Sequence, residues 1–434
     1  MPNPTGANGR EVQSCPSDEV LLAAFTEYAK ENGGSGLSWE HQIQRLKSEH
    51  NFTVGRTTLS KIRKRVGAPS VRKTAKSLHP ADLNQRVEDL KQSDALGLWG
   101  VSQVRGRLAN EGVFATRQAT RNSLHDNYDD EFENRFRGKK KPKKHRTPLH
   151  ALGPWHQEHS DGHEKLGEQG LMIGKGIHLP IYASKDQYAA WLHSLLLMPH
   201  VRTAQAIAHY YLDLVEGRGY RISITLIVDG GTEVVEMLKI HERLRADAAP
   251  DFTLPEWPYS VSLPSTQNTP IESFWRLKRN GEGRSIRHVL EEGANQGYFM
   301  PNDDIHKQTF YWIWVPFIQW RLDLFREYWN NHRLQDLKAK INGSGMSPKN
   351  LFLNPQAGRV DARDCSIKVR PGLVHELREA YGGMEAREKT YRFVSPNFQA
   401  AADEAYVFLG CPDINLDSIW GIFTDVVKYL DEHH

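Results

Sequence analysis

Three carboxylates stand where a fold could gather them: Asp161 in "HSDGH", Asp229 in "ITLIVDGGTEV" and Glu272 in "TPIESFW". Asp161 falls where a first strand runs out, Asp229 where a run of mostly aliphatic and β-branched residues runs out, and Glu272 at the start of a late helix. Carboxylates on neighbouring strand ends can hold hard divalent cations, because Mg²⁺ takes oxygen ligands and accepts only a few of them from protein. Two such ions about 4 Å apart stabilise both the attacking and the leaving oxygen of an in-line phosphoryl displacement, with no nucleophilic side chain required.

Each acid also has a local explanation. Asp161 and Asp229 each precede glycine, and Asp-Gly is a common turn dipeptide. Glu272 closes a capping box, Thr269 to Glu272, with Pro270 at the first helical position. The helix dipole that keeps such a carboxylate ionised suits a metal ligand equally well. Glu272, Arg276 and Arg279 share one helix face, so the two guanidiniums could grip phosphates beside a scissile bond, although Glu272 and Arg276 also make an ordinary helix ion pair. His156, His159 and His163 surround Asp161 and suggest a zinc or general-base role. They share a side only if the strand continues through Gly162, so they read as bystanders or supports of the acids. Glu233 reads as a first-turn helix acid.

The elements that must position these groups begin with paired helices. "SWEHQIQRLKSEH" has Ser38 as N-cap and Trp39, Ile43 and Leu46 at helical spacing; "TTLSKIRKRVG" has Thr57 as cap, Leu59, Ile62 and Val66 on one face, and Gly67 as the stop. Residues 38 to 73 hold nine Lys/Arg against two Glu. A helix, a short turn and a basic helix fit a helix-turn-helix with Lys61, Arg63, Lys64 and Arg65 on the nucleic-acid side. A second copy follows: Val101, Val104 and Leu108 face inward, and a helix from Thr116 offers Arg117 and Arg121 to solvent. Any three-helix bundle contains such pairs, and the basic second helix is what favours DNA.

"RGKKKPKKHR" then carries seven Lys/Arg in ten residues and no apolar one, so it cannot enter a core. Lys139, Lys140, Lys141, Lys143 and Lys144 suit a phosphate-gripping linker, a nuclear-localisation signal or a solvated tether. Beyond it the pattern predicts three early strands, then strand and helix in alternation: a helix over Arg202 to Glu216, a buried strand "RISITLIVD", a helix over Thr232 to Arg245, a strand "WPYSVSLP" and a helix over Pro270 to Arg279. That is an α/β fold with a mixed sheet covered by helices. Tyr311 to His332 reads as an aromatic helix interrupted by Pro316, belonging to a core or a dimer surface. The expected division is an N-terminal segment (1–34, partly disordered), tandem helix-turn-helix units (35–136), a basic linker (137–150), the α/β core (151–335) and a C-terminal extension (336–434).

"WHQEHSDGHEKL", "IYASKDQY", "IVDGGTEV", "STQNTPIESFW" and "YWNNHR", in this order, resemble the catalytic core of retroviral-type integrases and related DDE transposases, and more narrowly the integrase-core proteins derived from transposons in fungal genomes. The resemblance covers roughly Pro154 to His332. It implies a ribonuclease H-like fold, a triad of Asp161, Asp229 and Glu272 binding two Mg²⁺ or Mn²⁺ ions, and cleavage and joining of DNA ends. Asp186 matches that family's second-strand Asp, but Ala189 stands where a Ser is usual and the following Arg is missing. The second gap of the triad is longer than in the retroviral core. The expected partners are element-end and target DNA and further copies of the chain, in the nucleus. The alternatives are a domesticated DNA-binding protein without the reaction, and a ribonuclease H-like nuclease that cuts without joining.

Composition bounds these readings. With 39% hydrophobic and 25% charged residues among 434, no apolar run of membrane-span length and no signal-peptide pattern at the N-terminus, an intracellular protein without membrane association is expected. Cys15, Cys365 and Cys411 lie too far apart for a zinc knuckle and are too few for a disulfide framework.

Overall fold

A computed structural model describes residues 15–71, 78–134, 150–163, 177, 179–252, 255–263, 271, 274–275, 282–336 and 341–433. The chain forms two compact units. One comprises Met1–Leu90, Trp99–His150 and Tyr328–Arg363; the other Lys91–Leu98, Ala151–Glu327 and Asp364–His434. The expected end-to-end succession is replaced by an interleaved one, and residues 336–434 are shared between the two units. Unit boundaries follow who packs on whom, which sequence order does not fix.

In the first unit, helices α1 (Asp18–Gly34), α2 (Trp39–His50) and α3 (Arg56–Arg65) surround Leu21, Phe25, Tyr28, Leu46, Leu59 and Ile62. Helix α1 thus lies within the segment expected to be a partly disordered leader, because its apolar stripe completes this core. Ser38 caps α2 by accepting from the His41 amide. Thr57 does not cap α3: the helix starts one residue before it, with Gly55 at the N-cap. Gly67 stops the helix at φ +68°, a left-handed conformation that suits glycine.

A second trio, α4 (Pro80–Lys91), α5 (Val101–Asn110) and α6 (Arg117–Asn134), closes over Val87, Trp99, Val104, Leu108 and Leu124. Thr116 caps α6 through the Ala119 amide. Each helical pair therefore belongs to a three-helix unit with its own core. A buried network ties the late segment to this unit: Arg45 Nη1 donates to Glu31 Oε1 at 2.8 Å, and Ser347 Oγ donates to Glu31 Oε2 at 2.6 Å.

The second unit is built on a five-stranded mixed sheet in the order β3-β2-β1-β5-β6. Strands β1 (Gln157–His163), β2 (Ile181–Asp186) and β3 (Leu192–Leu197) form an antiparallel meander. Helix α7 (Ala204–Gly217) leads to β4 (Arg221–Ile222) and β5 (Thr225–Val228), which pairs parallel to β1. A 3₁₀ turn (Thr232–Val234) and α8 (Val235–Ala248) then cross to β6 (Ser260–Ser262), parallel to β5. The expected single strand "RISITLIVD" is two strands. Ser223 and Ile224 break it because Ser223 Oγ donates to Glu158 and the Ile224 carbonyl accepts from Arg245 Nη1. β4 pairs instead with β7 (Ile367–Lys368).

Helices α9 (Glu282–Asn295) and α10 (Asp304–Asn331) follow. α10 is not interrupted at Pro316. Phe310, Trp314 and Phe317 are buried on both sides of the proline, and their burial outweighs an interior-proline cost of about 3 kcal/mol. Trp420 of α12 (Ile419–His433) lies 5.3 Å from Trp314, ring to ring, and donates Nε1 to the Val289 carbonyl at 2.7 Å. Arg378 of α11 (Pro371–Ala380) joins Asp213 and Glu216 of α7 at 2.7 and 2.9 Å. No described helix is long and apolar enough to cross a membrane.

Candidate functional site

The register of β1 and β5 sets the geometry. Gln157, Glu158 and His159 lie beside Thr225, Leu226 and Ile227. Asp161 and Asp229 each come two residues after the last of these pairs, so the parallel strands deliver them level with each other at their carboxyl ends, on the face shared with His159 and Ile227. In open α/β sheets this edge, beside the strand where connections diverge, is where ligands collect.

Asp161 is 9% exposed and accepts from Trp275 Nε1 at 2.9 Å. Ile271, Phe274 and Trp275 are helical and buried, so the late helix reaches β1 at this carboxylate. Asp229 follows β5 directly and is partly buried. Glu272, Arg276 and Arg279 lie outside the described residues, as do Lys139, Lys140, Lys141, Lys143 and Lys144.

The glycines after Asp229 differ. A side chain at Gly230 would meet open space, whereas one at Gly231 would collide with the carboxylate of Glu233, which folds back over that backbone. Glu233 is a first-turn acid, as read from the sequence. Beneath Gly162, the residue next to Asp161, lies the ring of Tyr182: a Cβ at 162 would stand 3.4 Å from it. Tyr182 is 1% exposed, and its hydroxyl has no hydrogen-bond partner among the described residues. Burial first, then Tyr210 and the carboxylates of Asp161, Asp229 and Glu233, raise this phenol well above its ordinary range, so it remains a protonated donor.

The opposite end of β1 is organised differently. Glu158 is fully buried, accepts two bonds of 2.8 Å from Arg218 Nη1, and is further bonded by Ser184 and Ser223. Burial alone would raise its carboxyl; Arg218, helped by His193 and the two hydroxyls, outweighs burial and holds it at about 2. Asp186 pairs with Glu158 across β1 and β2, which puts it at this same end, away from Asp161. Its oxygens accept from the amides of Trp155 at 2.8 Å and Ala189 at 2.6 Å, and burial lifts its carboxyl to about 7. It therefore organises the β2–β3 turn. The histidines have local partners too: His159 Nε2 is 2.7 Å from Gln187 Oε1, and His156 Nδ1 accepts from the Leu152 amide at 3.3 Å. The side chain of His163 lies outside the described residues.

The donor set at the Asp161 end consists of oxygens, which suits a hard cation. Among the described residues no three His, Cys, Asp or Glu side chains converge into a ready ion cage. Mg²⁺ characteristically takes one or two carboxylates and keeps its water, so Asp161 and Asp229 fit it without such a cage.

On the helical unit, Lys61 and Lys64 are exposed on α3. Arg63 is turned inward: it donates to Gln42 Oε1 and to the Pro69 carbonyl, both at 2.8 Å, and stacks over Phe25. Arg65 pairs with Asp18 at 2.6 Å on the surface. Arg117 and Arg121 are exposed on α6, the first donating to Ser102 Oγ at 2.8 Å and the second lying 3.4 Å from His125. A groove of about 830 Å³ is lined by Trp39, Arg63, Lys64, Arg105 and Arg117.

Sequence reasoning gave Trp275 no part at Asp161, because a contact between a late helix and β1 has no local signal in the chain. Glu233 is the first-turn acid that the sequence suggests. The chain matches no protein-family model and no curated protein.

Proposed function

We propose that the chain is an integrase- or transposase-type polynucleotidyl transferase with a ribonuclease H-like core, cutting DNA ends and joining them to target DNA in the nucleus. The observation that carries this reading is the level placement of Asp161 and Asp229 at the ends of adjacent parallel strands. The mixed sheet, with three early strands followed by strand and helix in alternation, supports it as well.

Asp161 and Asp229 would hold the divalent ions, with Glu272 as the third acid. Bound there, Mg²⁺ or Mn²⁺ supplies charge stabilisation at the attacking and leaving oxygens. The chain's own part is to fix the two carboxylates on rigid strands, to orient Asp161 through the Trp275 indole, and to leave open space at Gly230 for a phosphate to approach. Water is the nucleophile for cleavage and a DNA 3′ hydroxyl for joining. Lys61, Lys64, Arg117 and Arg121 hold DNA from the helical unit, and two ends handled together imply at least a dimer.

The test is Asp229→Asn assayed with Mg²⁺ and labelled element-end DNA. Strand transfer is expected to fall at least about 100-fold, since the ion's contribution is several kcal/mol. Undiminished transfer would sink the mechanism. The engagement of Asp161 by Trp275 favours a second reading, a DNA-binding protein that has lost the reaction. Sequence-specific binding by the wild type with no nicking under any divalent ion would select it.

A further inference from the structure

The two helical trios, which the sequence sets out as a tandem, are welded together. Ala29 of α1, Ala109 of α5 and Phe114 just beyond α5 share a small buried core of their own, apart from the core of either trio. The backbones approach closely beside it: a Cβ on Gly34, at φ +75°, would stand 2.8 Å from the Ala109 Cβ. Arg105 of α5 reaches back across this seam and donates to Ser35 Oγ. The groove on the helical unit therefore takes its walls from both trios: Ser35, Trp39 and Lys64 from one, Arg105, Thr116 and Arg117 from the other.

Its charge is one-sided. Arg63, Lys64, Arg105 and Arg117 line it among the described residues, and no Asp or Glu does. The partners of the three arginines are neutral: Gln42 and the Pro69 carbonyl for Arg63, Ser35 for Arg105 and Ser102 for Arg117. Arg105 Nε is buried and bonds to nothing among the described residues. Burial first, then the neighbouring charge of Arg117, pulls Arg105 below the ordinary arginine range, as befits two like charges brought together without a counter-ion. Phosphate oxygens match such guanidiniums in both charge and geometry. The rest of the wall is largely apolar, with Leu37, Ala68 and Pro69 beside a Trp39 that is 37% exposed. Cations with an aromatic ring among them suit unpaired nucleic acid, whose phosphates take the charge and whose bases take the ring. At about 830 Å³ the groove has the size of a small-molecule cleft. An unpaired strand can enter such a space, whereas a duplex can only lie across its rim.

We propose that the seam between the two helical trios binds a single strand of DNA, with a phosphate on Arg105 and Arg117 and a base against Trp39. The inference rests on the DNA reading above for the choice of polymer, and it needs neither the carboxylates nor the reaction. It makes the two trios one composite site for an unpaired strand, where the sequence suggests two successive readers of a duplex.

The experiment is fluorescence anisotropy of a labelled oligo-dT strand with the full chain, without divalent metal, over a range of salt concentrations. Unlabelled oligo-dT, duplex DNA and oligo-rU serve as competitors, and oligo-dT is expected to displace the label at the lowest concentration. Arg105→Gln is expected to weaken oligo-dT about 10-fold and to lower the salt slope by about 0.7. Arg117→Ala, which removes an exposed side chain, is expected to act in the same direction with the melting temperature unchanged. Trp39→Ala is expected to weaken binding about 10-fold with the slope unchanged, because a ring and not a charge is lost. Wild-type affinity for oligo-dT in both arginine variants overturns the proposal. Displacement at the lowest concentration by duplex DNA overturns it too, by making the trios duplex readers, and the same result with oligo-rU overturns the choice of DNA. None of these results touches the Asp229→Asn assay, and undiminished strand transfer there leaves these affinities as they are, so the two failures are distinguishable.

Discussion

The two ends of strand β1 carry the same kind of group and treat it in opposite ways. At the beginning, Glu158 is enclosed by Arg218, Ser184 and Ser223, and Asp186 by backbone amides. At the far end, Asp161 and Asp229 stand level on adjacent strands, and Asp161 accepts from the Trp275 indole. A buried charge that the protein itself satisfies is part of the scaffold. Asp161 is met by a neutral indole donor in place of a guanidinium. Burial or acidity alone would not have separated the two.

The strongest way to break the contrast is to remove the partner of the satisfied charge. Arg218→Ala strands Glu158 in the interior and is expected to cost about 3–5 kcal/mol of stability, measured by denaturant unfolding. A loss below about 1 kcal/mol would mean that Glu158 is not held as described.

The two scaffold carboxylates also respond oppositely to pH. Glu158 sits below its ordinary value, so the stability it provides is present above about pH 4.5 and is lost as pH falls toward 2. Asp186 sits above its ordinary value, at about 7, so its contribution is present below about pH 4 and is lost as pH rises through 7. Stability of the wild type is expected to decline between pH 4 and 7 through Asp186, and Asp186→Asn to flatten that slope. Unfolding midpoints at pH 5 and pH 8 measure it.

At the Asp161 end the expectation differs. Asp229→Asn, which in the proposed reading lowers strand transfer, is expected to change stability by no more than about 0.5 kcal/mol, because no buried partner among the described residues is stranded. Loss of both activity and several kcal/mol would place Asp229 in the scaffold instead.

The smallest effect sharpens the same contrast on α3. Arg63 is satisfied from within by Gln42 and Pro69, whereas Lys64 is exposed. Lys64→Ala is expected to lower the salt dependence of DNA binding by about one unit of slope and leave the fold intact. Arg63→Ala is expected to act on stability rather than on the slope.

Much of this could be read from the chain. Ser38 and Thr116 announce their helices because capping is local, and Val101, Val104 and Leu108 repeat at helical spacing because one face is buried. Asp229 was identifiable as a strand-end acid, whereas β1 does not run out at Asp161 but continues through Gly162 to His163, held by its pairing with β2. The shared level of the two acids was not legible, since it is set by pairing between segments more than sixty residues apart in sequence. The same limit hid the break at Ser223, which exists to serve Glu158, and the continuity of α10 through Pro316, where aromatic packing overrides a local preference. Glu272 falls outside the described residues, so its place in the triad rests on sequence resemblance alone.

The bond between Ser347 and Glu31 spans 316 residues of chain. During synthesis at about 5–20 residues per second, the helical unit therefore waits roughly 15–60 s for its last piece. Throughout that interval Glu31 has Arg45 but lacks its second partner, while the sheet unit emerges as far as Glu327. Helix α1 is made 316 residues ahead of the hydroxyl that completes its Glu31, and a chain stopped before Ser347 never completes that network.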